Sequence, residues 1–432
     1  LGAGLTGKAL ADFCENQKIH YYLIDDKPGF QRDGRYFIGS SSEEAFKQDL
    51  YSISFLIPSP GVPLTHPVVL QAKERQIPIL GELELAANYL KSEFIAVTGT
   101  NGKSTTVKLI DKLLKAAQIS AGLKGNIGMP LITAVNEPPK SYYIVEESSY
   151  QLELVGNLHH KVAVCMNVTD DHQDRYDDFA AYVDAKRNVI KNSQASDYFI
   201  YNADDAYAER MHWKTDAITI PFSLVREFDQ GAFVQGDDIV LRLGDKEYRT
   251  PLSGCSLKGM HNQENMLAAL LAAMLIAPAW DDYVEVLKVF EGLPHRLQKV
   301  ASVNGVDYYD DSKATNVGAV VMSLASFEGN VVLLAGGKDK QSDFTSLKGL
   351  VKHKVKQLVL FGEAKEKMSE CLASETNTVM VEGLKEAVKQ AKQVASEGDV
   401  VLLSPACASF DQFKNFEERG RRFQEYVEGL SS

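Results

Sequence analysis

The sequence predicts an α/β fold of three successive units, each a mostly parallel sheet covered by helices, with a small antiparallel sheet added to the middle one. Three observations carry that expectation. Short apolar runs such as "EFIAVTG", "NVVLLAGG" and "DVVLLSPA" have the length and composition of strands buried on both faces. Glycine-containing turns follow several of these runs, and helical patterns follow the turns. The alternation extends through 432 residues, a length that accommodates two to four domains. The expected domains are 1–90, 91–293 and 294–432.

The first unit opens with "LGAGLTGKALADFCENQ". Gly2, Gly4 and Gly7 match GxGxxG, a helical pattern follows, and the strand-like "YYLID" ends at the acidic Asp25. That is the dinucleotide fingerprint. Its physics is less specific than the label. Glycines admit a diphosphate close to the backbone, and a helix N-terminus offers N–H groups and a positive dipole end. A nicotinamide or flavin cofactor and another nucleotide diphosphate both satisfy it. "PSPGVPL", after "ISFLI", is expected at a second strand end lining the same cleft. A strand is expected ahead of the glycines, and most of it is missing, so the numbered chain is expected to be clipped at its N-terminus.

The second unit begins near Lys91. In "AVTGTNGKSTT" a strand runs into a glycine loop and then a helix, the context a phosphate-binding loop requires. The spacing is unusual. GxxxxGK[ST] would put the first glycine at position 97, which is Val97, and the glycine comes two residues later at Gly99. Lys103 would hold β/γ phosphates and the Ser104 hydroxyl would sit on Mg²⁺; the bland alternative is a glycine-rich turn starting a helix. The strand "YYIVEESS" ends at Glu146, and "KVAVCMNVTDDH" is expected to run to just before His172. Ligands gather at the carboxyl ends of parallel strands, and Mg²⁺ favours carboxylates, so Glu146 and His172 are candidates. A solvated acidic turn and a structural histidine are the alternatives.

Lys186 is singled out by its place in "DDFAAYVDAKRNVIKN", inside an apolar stripe of Phe179, Tyr182, Val183, Val189 and Ile190. A snorkelling lysine is one reading. The other is a desolvated lysine with a larger neutral fraction, whose amine can take up CO₂ as a carbamate, a metal-binding carboxylate. From about Pro221 to Lys258 short alternating strands with Gly-Asp turns suggest the antiparallel addition. "HNQENMLAALLAAMLIA" returns to helix, and its apolar run is shorter than the ~20 residues a bilayer span needs.

In the third unit, from Pro294, "VASVNGVDYYDDS" carries a hairpin signal at Asn304-Gly305. "LKEAVKQAKQVASEG" places Leu384, Val388, Ala391 and Ala395 at helical spacing. Arg296, Asp311, Lys313, Thr315, Lys340 and the polar-aromatic run "SPACASFDQFKNFEERG" put basic and hydroxyl groups near one strand edge, as an anionic substrate needs. The net charge of −12 argues against a nucleic-acid partner bound through bulk charge. The five cysteines form no CxxC pair, which fits a reducing, cytoplasmic compartment.

"GTNGKST", "NVTDDH", "AKRN", "HNQEN", "HR", "DDSKATN", "GGKDK" and the C-terminal run occur in an order that resembles the Mur ligases over nearly the whole chain. "GTNGK" alone would not separate them from folylpolyglutamate synthases; "SPACASFDQFKNFEERG" is similar to the D-glutamate-adding members. The resemblance implies Rossmann-like domains for a UDP-sugar, for ATP and for an amino acid. It implies ATP-dependent amide ligation through an acyl phosphate, with UDP-N-acetylmuramoyl-L-alanine and D-glutamate as partners, by a monomer without membrane insertion. Carried onto this sequence, Gly99, Thr100, Asn101, Gly102, Lys103, Ser104, Thr105, Asn262, Asn265, Arg296 and Asp311 would bind ATP. Ser104 and Glu146 would hold one Mg²⁺, and His172 and carbamylated Lys186 a second; Lys103, His172 and Lys186 would serve catalysis. Leu5, Thr6, Asp25, Ser59, Gly61 and Asn126 would hold the UDP-sugar, which recasts GxGxxG. Thr315, Lys340, Ser409, Phe410 and Phe416 would serve D-glutamate. One departure is Glu147, where an apolar residue is expected. Either glutamate could then be the metal ligand, with Glu146 favoured.

Overall fold

A computed structural model describes residues 1–25, 36–38, 53–169, 171, 175–339 and 341–430. The contacts divide the chain into two compact units. One comprises Leu1–Val168, Asp178–Ser253 and Asn265–Val286; the other comprises Thr169–Asp177, Gly254–Glu264 and Leu287–Ser432.

The first unit carries two sheets among its described residues. The smaller pairs β1 (Leu23–Asp25) with β2 (Tyr36–Ile38) in parallel. Beside it, the Gly2 N–H donates to the Ile24 carbonyl and the Ser59 N–H to the Leu1 carbonyl, so the glycine turn is held between two backbones. Leu1, Ile24, Leu56, Val68, Val69, Ala72 and Ile77 form the core here.

The larger sheet has nine strands. They are β3 (Glu93–Thr98), β4 (Ala121–Gly125), β5 (Tyr142–Glu146), β6 (Val162–Cys165), β7 (Tyr198–Asn202), β8 (Ile218–Ser223), β9 (Gly231–Gln235), β10 (Asp238–Leu243) and β11 (Lys246–Pro251). Their order is β11-β10-β9-β8-β7-β6-β3-β5-β4. Ile95 to Val97, Ile144 and Val162 to Cys165 are fully shielded, as expected of central parallel strands covered on both faces. The chain leaves β3 towards β4, returns through β5, and crosses β3 to reach β6. The loop after β3 therefore lies where the strand order reverses, the place such sheets bind ligands.

The antiparallel region is not a separate sheet. β9, β10 and β11 pair antiparallel, but β9 also pairs in parallel with the end of β8 through Phe222 and Ser223. Gly231 makes this possible: a Cβ there would lie 2.5 Å from the Pro221 carbonyl oxygen. The helix Met260–Ile276 is apolar almost all round, and Met266 to Ala273 are buried. No helix among the described residues is long and apolar enough to cross a membrane.

The second unit has a six-stranded sheet of order β12-β13-β17-β14-β15-β16. Its strands are β12 (Gln298–Val303), β13 (Val306–Asp310), β14 (Val331–Gly336), β15 (Val355–Phe361), β16 (Asn377–Met380) and β17 (Val400–Leu403). β12 and β13 form the expected hairpin, with Asn304 and Gly305 at φ 52° and 75°; the other pairings are parallel. Alternation along β14 sends Val331, Leu333 and Ala335 to one core and Val332 and Leu334 to the other. The helix Leu384–Val394 covers the second of these with Leu384, Ala387, Val388 and Ala391.

Candidate functional site

The loop after β3 is built on two glycines that no other residue replaces cheaply. Gly99 has φ 145° and Gly102 φ 86°. A Cβ on Gly99 would approach the Met166 Cβ to 2.9 Å, and one on Gly102 would come within 2.5 Å of Asn265 Oδ1. Gly102 caps the helix Lys103–Ala116 and, being glycine, brings no side chain to it. The first-turn N–H groups, with Thr105 and Ser104 at the start of the helix, are thus arranged for an anion.

The unusual spacing has a physical counterpart in Asn167. Its carbonyl accepts the Thr100 N–H at 2.9 Å, its Oδ1 accepts the Asn101 N–H at 2.9 Å, and its Nδ2 donates to the Asn101 carbonyl at 3.3 Å. Asn167 can reach because β6 ends at Cys165, earlier than the expected end before His172. Tyr182 adds a hydroxyl contact to Thr100 Oγ1 at 3.0 Å. Asn265 accepts the Thr106 hydroxyl at 3.2 Å beneath Gly102, so it braces the loop. Sequence reasoning missed Asn167 and Tyr182. The available signal was an amide directly after an apolar strand, and a hydroxyl-bearing ring one helical turn before Lys186.

Two lysines meet at this loop. Lys103 Nζ donates to the carbonyls of Gly99 at 2.7 Å and Thr100 at 2.8 Å. Lys186 Nζ donates to the same Gly99 carbonyl at 2.8 Å and lies 4.7 Å from the Tyr182 ring centre. Lys186 is 2% exposed, so it does not snorkel. Both lysine side chains thus meet at one backbone carbonyl.

Glu146 ends β5. Its Oε1 accepts Asn126 Nδ2 at 2.7 Å, while its buried Oε2 has no hydrogen-bond partner. Asn126 is therefore placed beside Glu146. A buried carboxylate oxygen without a partner fits a hard divalent cation. Glu147 likewise has one buried oxygen, Oε2, without a hydrogen-bond partner, and its Oε1 lies 3.0 Å from Nε2 of the buried His160. No group of three or more His, Cys, Asp or Glu that could hold a metal occurs among the described residues. His172 and Lys340 lie outside the described residues.

In the first segment, Asp25 Oδ2 accepts the Ala3 N–H at 2.6 Å, locking the glycine turn to the end of β1. A Cβ on Gly7 would lie 1.9 Å from the Gly2 carbonyl oxygen, so the helix Leu5–Asn16 packs against the turn as the fingerprint requires. Gly4 caps that helix without a side-chain bond. Leu5 and Gly61 are exposed, Thr6 is half-buried, and Ser59 Oγ donates to the Gly2 carbonyl at 3.1 Å.

In the second unit, Asn262 Nδ2 donates to the Lys258 carbonyl at 2.9 Å. Asp311 is buried and accepts from the Leu297 N–H at 3.1 Å, Ser323 Oγ at 2.5 Å and Ser404 Oγ at 2.8 Å. Burial pushes its carboxyl up to about 6, against those hydrogen bonds and the charge of Arg296. "DDSKATN" and the C-terminal run are joined by Arg419, a residue the sequence reading quoted without assigning. Fully buried, it donates to Ser312 Oγ at 3.0 Å, the Ser312 carbonyl at 2.8 Å, the Cys407 carbonyl at 3.1 Å and the Ala408 carbonyl at 3.3 Å. Ser312 Oγ in turn donates to the Phe416 carbonyl at 2.9 Å, and Lys313 Nζ lies 4.0 Å from the Phe416 ring centre. Thr315 follows on the Lys313 turn, Ser409 is buried in the turn Arg419 holds, and Phe410 is 66% exposed.

Comparison with known proteins bears on both units. The Mur ligase middle domain matches residues 97–273, and the Mur ligase glutamate ligase domain matches residues 295–407. The UDP-N-acetylmuramoylalanine--D-glutamate ligase of Geotalea uraniireducens is 43% identical, over 100% of this chain and 96% of that protein. The protein of the same name from Syntrophus aciditrophicus is 37% identical, over 100% and 97%. Among solved structures, a pseudomurein peptide ligase type C from Methanothermus fervidus matches with TM-score 0.65 and 17% identity, over 99% of this chain and 98% of that one. MurF ligase from Thermotoga maritima in complex with ADP matches with TM-score 0.64 and 16% identity, over 97% and 92%. These two likenesses concern the fold.

Proposed function

The chain belongs to the Mur ligase family, and from that premise we propose that it joins D-glutamate to UDP-N-acetylmuramoyl-L-alanine at the expense of ATP, a step of peptidoglycan precursor synthesis. The observation that supports the chemistry most directly is the glycine-capped helix start at Gly102 with Lys103 and Lys186 converging on the Gly99 carbonyl.

A carboxylate is a poor electrophile because it has no leaving group. The γ-phosphate of ATP is transferred to the alanyl carboxylate oxygen, giving ADP and an acyl phosphate. The D-glutamate amine then attacks the acyl carbon, a tetrahedral intermediate forms, the amine loses a proton, and phosphate leaves with the C–O bond electrons. The loop N–H groups and Lys103 hold the phosphates, and positioning plus charge neutralisation carry most of the rate for such transfers. Mg²⁺ would neutralise charge on the transferring phosphoryl group. Ser104 and Glu146, the latter with its unpartnered Oε2, would hold one ion; His172 and Lys186 as a carbamate would hold another. The carbamate would form when the neutral Lys186 amine attacks CO₂ and releases a proton.

Asn262, Asn265, Arg296 and Asp311 are proposed for the adenine nucleotide. Leu5, Thr6, Asp25, Ser59, Gly61 and Asn126 are proposed for the UDP-sugar, and Thr315, Lys340, Ser409, Phe410 and Phe416 for D-glutamate. Domains of 1–90, 91–293 and 294–432, a monomeric state and a cytoplasmic location complete the reading.

The test is phosphate release from ATP and Mg²⁺ with UDP-N-acetylmuramoyl-L-alanine, amino acids supplied singly and each component omitted in turn. Release that needs both the UDP-sugar and D-glutamate is expected. Release with a different amino acid would replace the acceptor, and release without the UDP-sugar would overturn the reading.

A further inference from the structure

Glu147 raises a problem that the ligase chemistry does not answer. It is fully buried, it directly follows Glu146, and a second carboxylate so close to a cation site would compete for the ion. The fold places one side chain against it. His160 is 3% exposed and bonds on both ring nitrogens, Nε2 to Glu147 Oε1 at 3.0 Å and Nδ1 to the Val189 carbonyl at 2.8 Å. A carbonyl only accepts, so Nδ1 carries a proton, and Nε2 and Glu147 share another.

The two anchors of this bridge are informative. Glu147 is the neighbour of Glu146 at the end of β5. Val189 lies three residues beyond Lys186, in the 3₁₀ turn Asn188–Ile190 that continues the helix Phe179–Arg187. A second bond ties the same turn down, from Asn188 Nδ2 to the Leu152 carbonyl at 3.0 Å. We infer that His160 is a positioning residue for the phosphoryl-transfer centre: by bridging Glu147 Oε1 and the Val189 carbonyl it fixes the Glu146 strand end relative to the Lys186 helix. The inference rests on the proposal that Glu146 and Lys186 hold the cations.

Mn²⁺ is the probe, titrated with a non-hydrolysable ATP analogue and followed by the free-ion electron paramagnetic resonance signal, alongside unfolding midpoints without metal. Glu147→Gln keeps an acceptor for His160 and should keep Mn²⁺ affinity within about twofold. The paired Glu147→Leu/His160→Phe variant removes the bridge while filling the core, a type of exchange often neutral for stability. It should retain its unfolding midpoint and bind Mn²⁺ about five- to tenfold more weakly. Wild-type affinity in the paired variant would overturn the inference. So would a Glu147→Gln variant with affinity lost more than fivefold, which would make Glu147 a ligand. The metal reading fails separately, if the unaltered protein binds no Mn²⁺ with the nucleotide or if Glu146→Gln binds it equally well.

Discussion

The turn after β3 and the turn after β17 both follow a parallel strand at its carboxyl end, yet they spend their polar groups in opposite ways. At Gly99–Ser104 the helix start is capped by a glycine, which brings no side chain, and two lysines meet at one carbonyl. At Ser404–Ser409 the donors and acceptors are consumed internally: Arg419 holds Cys407 and Ala408, and Ser404 donates to Asp311. The first turn is organised to receive charge. The second is organised to stay in one shape, and what it offers a ligand is the shape itself. Ala406 at φ 60° inside it shows how tightly it is wound.

That contrast is most easily broken at Arg419. Arg419→Met would leave the carbonyls of Ser312, Cys407 and Ala408 without this donor, at about 1–3 kcal/mol for each buried group. The expected outcome is a lower denaturant midpoint, by about 3 kcal/mol or more, with activity falling in step. A variant stable as the parent but inactive would put Arg419 on the substrate instead.

Lys186→Ala should behave the other way. The loop keeps Asn167 and Tyr182, so the unfolding midpoint should change little, while turnover drops by about 10²–10³, typical for one lost charge-stabilising group. Added acetate should restore part of the rate by standing in for the carbamate. Full activity in the unsupplemented variant would sink the carbamate.

Each unit also buries a carboxyl that titrates high. Burial raises Glu82 from 4.5 to about 7, opposed by the Ile132 N–H and reinforced by the charge of Glu147. In the second unit Asp311 is raised from 3.8 to about 6. A carboxyl raised on folding binds its proton more tightly in the folded state. Its contribution is therefore full below the unfolded value and lost as pH climbs through the folded one. Stability should fall between pH 4.5 and about 7 because of Glu82, by at most about 3 kcal/mol. Glu82→Gln should flatten that window in a pH series of melts and leave the lower window, due to Asp311, in place.

The smallest effects sharpen the comparison at glycines. Gly102→Ala combines φ 86° with a 2.5 Å approach to Asn265 Oδ1. It should cost about 1–2 kcal/mol and weaken nucleotide binding, measured by calorimetry. Gly349, in the helix Lys348–Lys354 with open space around its Cβ, should tolerate alanine and gain about 0.5–1 kcal/mol.

Much of this was legible in the sequence for local reasons. Apolar runs gave the strands β3, β5, β14 and β17, because two-sided burial permits little else in them. Asn304-Gly305 specified its hairpin, since both residues tolerate positive φ. The glycine loop, Lys103, Glu146 and Lys186 stood out because their residue types contradict their surroundings: a glycine where a side chain would fit, a lysine inside an apolar stripe.

The partners that hold those groups were decided only by the tertiary structure. Asn167, Tyr182, His160 and Arg419 act across sequence separations that no periodicity reports, and each looks ordinary in its own segment. The surroundings of Glu146 and Glu147 are of the same kind. As sequence, either of the two adjacent carboxylates could be the metal ligand, with Glu146 favoured. The fold gives one an amide and the other a buried imidazole, and leaves each with one buried oxygen that has no partner. Local chemistry selected the groups that can react, and long-range packing determined which of them are already occupied.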